Sequence, residues 1–106
     1  MRAAVLGRPP SIFDLVVISE LCSFLTIDEV ARVATCSVES LTADGVLAVC
    51  DWRWPFEGRV LAAETAHRVF DRAGLRRLVN HEEEDFLLSI WARDERSVAR
   101  RDGLIV

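Results

Sequence analysis

The residues of this 106-residue chain that could carry a reaction are two histidines, three cysteines, a short acidic run and a few serines. His67 and His81 form no H-x-x-x-H pair, the spacing that sets two ligands on one helical face. No metal site with Glu82, Glu83 or Asp85 is therefore expected, and both histidines read as surface or capping residues. Glu82-Glu83-Glu84-Asp85 fits the first turn of a helix, where acids answer the helix dipole, better than an acid–base pair. Ser11, Ser37 and Ser40 lack a neighbouring His/Asp constellation, no G-x-S-x-G is present, and no glycine-rich loop could cradle a phosphate. Cys22, Cys36 and Cys50 are odd in number and form no C-x-x-C, so they read as small buried hydrophobes in a reducing compartment. The expectation is a non-enzyme with no catalytic residue, no metal, no cofactor and no small-molecule substrate.

Composition narrows the partners. The net charge is −4 and the pI about 5.1, which argues against a nucleic-acid footprint. All 13 basic residues are arginine. Arg72, Arg76, Arg77, Arg93, Arg96, Arg100 and Arg101 interleave with Asp71, Asp94, Glu95 and Asp102, the pattern of paired charges on a solvated helix face. Apolar residues make up 51% of the chain without counting glycine. For so short a chain that is a surplus, read either as a partner surface or as a well-filled helical core. The longest apolar run, Ile12 to Leu25, is too short to span a membrane and carries Asp14 and Glu20. Arg2 and Arg8 precede any acid, the one argument for an organelle leader. The expected compartment is otherwise the cytoplasm or nucleus.

The elements expected to position these residues are helices. Gly7 and Pro9-Pro10 make residues 1–10 an irregular leader. Ser11 as N-cap and Asp14 three residues on start a helix over Ile12 to Leu25, with two adjacent apolar stripes. The β-branched Val16-Val17-Ile18 run suits a strand, but capping and length favour helix. Thr26-Ile27-Asp28-Glu29 is a capping box for a second helix ending near Cys36. A third short helix spans Val38 to about Ala43, and Asp44-Gly45 breaks it. Val46 to Trp52 is a further short helix before the aromatic knot Trp52-Arg53-Trp54-Pro55-Phe56. A helix follows over Val60 to Leu78, bent at Gly74. Asn80 caps a last one that carries Phe86, Leu87, Ile90, Trp91 and Val98 and stops at Gly103. Trp52, Trp54, Phe56 and Trp91 read as core or interface anchors.

This order resembles the F-box. Glu20-Leu21-Cys22-Ser23-Phe24-Leu25 is similar to that family's first-helix block. Asp28-Glu29-Val30, Ala34-Thr35-Cys36-Ser37 and Trp52 follow at later motif positions, and Pro9-Pro10 stands near its opening. The match runs from Pro10 to Trp52 and departs from the family at Asp14, Ser40 and Ser37-Val38-Glu39. The resemblance implies an all-α bundle of about five helices. Residues 11–56 would be the F-box-like unit and residues 57–106 a helical extension packed on it. It also implies a protein–protein module docking on a Skp-type adaptor of a cullin ubiquitin ligase through Phe13, Val17, Ile18, Leu21, Phe24, Leu25, Ile27, Val30, Val33 and Trp52. The lack of lysine suits a ligase subunit that resists modifying itself. The alternative is a helical structural subunit of a larger assembly, with no role in ubiquitin transfer.

Overall fold

The computed structural model describes residues 13–93. The leader, the Ser11 cap, and the last helix beyond Arg93 with Arg96, Val98, Arg100, Arg101 and Gly103 lie outside them. The chain is not all-α. It runs β1 (Phe13–Ser19), a 3-10 turn (Cys22–Phe24), α1 (Ile27–Ser40), β2 (Leu41–Trp52), α2 (Ala63–Asp71), β3 (Arg76–Glu82) and β4 (Phe86–Ala92). The strands form one sheet in the order β1-β2-β4-β3. β1 and β2 are parallel, and β4 is antiparallel to both of its neighbours.

Three expected helices are strands. Strands buried on both faces lose the two-residue alternation and read as continuous apolar runs, which also satisfy a helical stripe. Leu15-Val16-Val17-Ile18 and Val46-Leu47-Ala48-Val49 are such runs in the parallel pair, and their β-branched residues fit a pleated surface better than a helix. Phe86-Leu87-Leu88 belongs to the antiparallel β4, an inner strand that is paired on both sides. Gly74 does not bend a longer helix. With φ +95° it stops α2 in the left-handed conformation open to glycine, and β3 follows two residues later. Of the acidic run, Glu82 ends β3 and Glu83–Asp85 form the connection to β4, closed by the Glu83 N–H donating to the Phe86 carbonyl (2.9 Å).

The capping box is present as the sequence implies. Thr26 Oγ1 accepts from the Glu29 N–H at 3.2 Å, and Glu29 Oε1 accepts from the Thr26 N–H at 2.9 Å. The second of these bonds also holds the Glu29 carboxyl below its usual range. The helix runs past Cys36 to Ser40. On the way the buried Ser37 and Ser40 hydroxyls donate to the carbonyls four residues back, at 2.8 and 2.6 Å, which satisfies them without another partner.

One face of the sheet is buried under both helices. Val16, Ile18, Leu47, Val49 and Trp91 meet Val30, Val33 and Ala34 of α1 and Ala66 and Phe70 of α2. Trp91 is the centre of this layer. Its Nε1 donates to Asp71 Oδ1 (2.9 Å), Phe70 stacks at 5.4 Å and the Arg77 guanidinium lies 5.1 Å over the ring. Within the same layer lies a polar chain. His67, expected at the surface, is buried, with Nε2 at 2.9 Å from Asp51 Oδ2 and Nδ1 at 2.8 Å from Ser89 Oγ. Ser89 Oγ reaches Asn80 Oδ1 (3.2 Å), which accepts from Arg77 Nη1 (2.7 Å). These are the members of a hydrolase triad, but all three are at most 1% exposed, so no substrate reaches them and they tie α2 to β2 and β4. Beside them, burial and the Asp51 charge push the Cys22 thiol up to about 12.

Three outcomes follow. Removing the cap in Thr26→Ala costs about 1 kcal/mol in urea unfolding. His67→Ala strands a buried carboxylate and costs about 3–5 kcal/mol, against about 1 kcal/mol for Ser89→Ala, in the same measurement. Because the Cys22 thiol titrates higher in the folded chain than its ordinary 9.0, its contribution to stability is complete below pH 9 and is lost as pH rises from there toward 12. Iodoacetamide at pH 8 therefore leaves Cys22 unmodified by mass spectrometry until denaturant is added.

Candidate functional site

In open α/β sheets, ligands bind outside the carboxyl ends of the parallel strands. Here those ends are Ser19-Glu20-Leu21 after β1 and Trp52-Arg53-Trp54 after β2. The chain turns sharply at Glu20, whose φ is +59°, and it is the one residue other than glycine with positive φ among the described residues. Strain of this kind persists where the surroundings enforce it. The Glu20 N–H donates to the Cys50 carbonyl (2.9 Å), extending the ladder by one residue, and its carboxylate accepts from the Trp52 N–H (3.3 Å). The carboxylate is thereby set at the mouth between the two strands, and Glu20 is exposed.

The next wall comes from β2 and the loop after it. Arg53 is pinned on several sides. Its N–H donates to the Asp85 carbonyl (2.8 Å), its Nε to Glu64 Oε1 (3.0 Å) and its Nη1 to the Glu83 carbonyl (2.6 Å). Burial pushes the Glu64 carboxyl up, but its own backbone N–H and the Arg53 guanidinium outweigh that and hold it below its usual range. The Trp54 indole N–H donates to Asp85 Oδ1 (2.8 Å). The loop folds back on the 3-10 turn through the Val60 N–H, which donates to the Ser23 carbonyl (2.7 Å), and the Phe24 and Phe56 rings meet at 5.5 Å. Arg53, Trp54, Glu64 and Glu84 line a shallow cleft of about 260 Å³.

The charge at this rim is one-sided. Across residues 19–21, 52–64 and 83–85, the carboxylates of Glu20, Glu57, Glu64, Glu83, Glu84 and Asp85 stand against the guanidiniums of Arg53 and Arg59 alone. Cys50, just inside, senses the field: burial, then Glu20 and Asp51, raise its thiol pKa. Such a rim with exposed aromatic rings suits a cation, a sulfonium or a protonated amine.

The residues read as a docking surface are scattered by this fold. Ile18, Val30 and Val33 are buried in the core and face no partner. Phe13, Leu21 and Leu25 are half-buried against that core. Val17 is half-buried on the opposite sheet face. Phe24, Ile27 and Trp52 are exposed, and Phe24 and Trp52 belong to the rim just described. His81 pairs with Glu83 at 2.9 Å on the β3–β4 connection, on the opposite sheet face from His67. Sequence reasoning missed Glu20, Arg53, Trp54 and Glu64 as a group. The one local signal was the aromatic knot, which was read as an anchor.

No family model matches the chain, and no curated protein does. Solved structures do match. A protein of Pseudomonas syringae assigned as a methyltransferase is 36% identical, with a TM-score of 0.66 over 82% of this chain. A TehB-like SAM-dependent methyltransferase of Corynebacterium glutamicum is 19% identical, with a TM-score of 0.67 over 86% of the chain. The N-methyltransferase NodS of Bradyrhizobium japonicum, solved with S-adenosyl-L-homocysteine, is 21% identical, with a TM-score of 0.67 over 85%. The chain spans 51%, 53% and 50% of their lengths. These likenesses overturn the F-box reading, its Skp-type adaptor and ubiquitin-ligase role, the helical-subunit alternative, and the expectation of a non-enzyme without a small-molecule substrate. Among the described residues no helix is long and apolar enough to cross a membrane. Residues 13–93 have a methyltransferase-like α/β fold.

Proposed function

We propose that this chain forms the substrate-side wall of an S-adenosylmethionine-dependent methyltransferase site that acts on a small molecule. The observation that carries the reading is the 36% identity to the Pseudomonas syringae protein across 82% of the chain, with the strained Glu20 at the carboxyl end of β1. The acidic, aromatic rim supports it, because the methyl donor is a sulfonium and N-methyl acceptors are amines.

The described residues do not hold the whole cofactor. The cleft is open and about 260 Å³, below the about 300–1,000 Å³ of pockets that enclose a small ligand. The sequence has no glycine-rich loop to receive a nucleotide. These residues fit one flank of the site, and their own work is binding and orientation. Glu20 places a carboxylate where a cationic centre gains from it, and Phe24, Trp52 and Trp54 offer ring faces to the same charge. The Arg53–Glu64 pair keeps the far wall rigid and leaves the negative balance to the remaining acids.

A single flank binds weakly, with a dissociation constant on the order of millimolar. In a titration followed by amide NMR, S-adenosylmethionine is expected to shift Ser19 to Leu21 and Trp52 to Trp54. It should bind a few-fold more tightly than S-adenosylhomocysteine, whose neutral thioether lacks the sulfonium charge, and the preference should vanish in Glu20→Gln. Shifts confined to the arginines of β3, or none at millimolar ligand, would refute the reading.

A further inference from the structure

Exposed apolar side chains on a folded surface ordinarily stand singly. Here three large ones stand together beside the rim. Phe24 is 55%, Trp54 47% and Val60 56% exposed, on the 3-10 turn and on the loop of residues 53–62 between β2 and α2. The loop is not slack. Trp54 hooks one end of it to Asp85 through the indole N–H, and at the other end the Val60 and Leu61 N–H groups both donate to the Ser23 carbonyl (2.7 and 3.2 Å). Between them Arg59 Nη1 donates to the Arg53 carbonyl (3.2 Å) and closes the loop on itself, and Phe56 carries the apolar line from Trp54 to the Phe24 ring. The one polar atom of the Trp54 indole is satisfied, so what it presents is ring face. Carboxylates border this strip. Glu64 and Glu84 share the cleft with Trp54, and Glu57 follows Phe56. Glu57 and Glu84 have no arginine partner among the described residues.

We infer that this strip and the cleft at its head bind an amphiphilic amine, an ammonium group on an alkyl or aryl tail, as the substrate of the site. The ammonium lies over the Trp54 ring between Glu64 and Glu84, and the tail runs along Phe56 and Phe24 toward Val60. Charge selects this occupant. A fatty acid or an anionic membrane surface is repelled by the unbalanced carboxylates of the rim. A neutral hydrocarbon covers the rings but leaves those carboxylates desolvated without a partner. A hydrated metal ion makes no use of the apolar line. A cation with a tail meets both demands, through cation–π contact, carboxylate pairing and apolar cover. Size selects it over a protein. Three partly exposed rings and a valine offer on the order of 350 Å², under half of the roughly 800 Å² that one side of a stable protein interface covers. The cleft is also separate from the position of Glu20. In the strand order the end of β1 and the β3–β4 connection lie on opposite sides of the end of β2, so Glu20 can face a methyl donor while the cleft holds the substrate. As a methylation substrate the amine rests on the reading above; its binding to the rim does not.

The test titrates the 106-residue chain with butylammonium, octylammonium, octanol and octanoate, followed by NMR at the Trp54 indole N–H, which Trp54→Phe assigns. Octylammonium is expected to bind on the order of tenfold more tightly than butylammonium, because each half-covered methylene is worth about a factor of two. Octanoate should bind about tenfold or more weaker than octylammonium, with octanol between them. Glu84→Gln should narrow the gap between octylammonium and octanol, and Val60→Ser the gap between the two amines. Ile27→Ser, at an exposed apolar site outside the strip, should change neither. All three positions are exposed, and circular dichroism checks that the variants stay folded. Equal affinity for the two amines, or for octylammonium and octanoate, would overturn the proposal, as would a Trp54 resonance that stays fixed. A dimer in light scattering that Val60→Ser dissociates would overturn it in favour of a second copy of the chain. Amine binding without S-adenosylmethionine shifts at Ser19 to Leu21 keeps the amine site and removes the methyltransferase reading; the reverse removes the amine site alone.

Discussion

The parallel pairing of β1 with β2 is the constraint from which the rest of the structure follows. Two parallel strands cannot be joined by a tight turn, so the chain must climb back through a crossover, and α1 is that crossover. The capping box at Thr26 starts it directly after the 3-10 turn, and β2 begins at Leu41, the residue after the helix ends. Pairing in this sense brings the carboxyl ends of β1 and β2 to the same margin. Glu20, Trp52 and Arg53, far apart in sequence, thereby become neighbours. The Glu20 backbone takes up the sharp exit from β1, and its side chain returns to the first residue beyond the shared ladder.

The buried polar chain has a matching role within the helix-covered layer. α2 is only nine residues long and joins the sheet through Ala66, Phe70 and the His67 imidazole. The imidazole bridges β2 and β4 through Asp51 and Ser89, and Asp71 at the end of the same helix accepts a hydrogen bond from the Trp91 indole N–H. A short helix with few apolar contacts is thus fixed in register by directional bonds. Asp51 Oδ1 and the Ser23 hydroxyl are buried without a hydrogen-bond partner, so this layer carries polar cost as well as polar order. That cost lies directly beneath the rim, where Cys22 and Cys50 both register the negative charge.

The rim depends on the same strand ends. A site at the ends of parallel strands is a crevice only when material stands on both sides of it. In this chain one side is built, by the β2 loop and the β3–β4 connection, and the other side is the margin at which β1 ends.

The sequence alone determined what depends on residues a few positions apart. The Thr26–Glu29 box, the start of α1 and the stop at Gly74 rest on i to i+3 bonds or on one backbone angle, and the first two were legible as such. It also registered a surplus of apolar side chains for the chain's length. Only the tertiary structure decided what those side chains form. A run such as Leu15-Val16-Val17-Ile18 satisfies a helical stripe and a strand covered on both faces equally well, and what separates them is hydrogen bonding to Val46–Val49, about thirty residues away. The same holds for the polar groups. His67 looked like a surface residue because its partners lie 16 and 22 positions distant, and Glu20 looked like one helical acid among many until the end of β1 turned it toward β2. Periodicity and capping report on neighbours along the chain, whereas a sheet is held together by contacts across it.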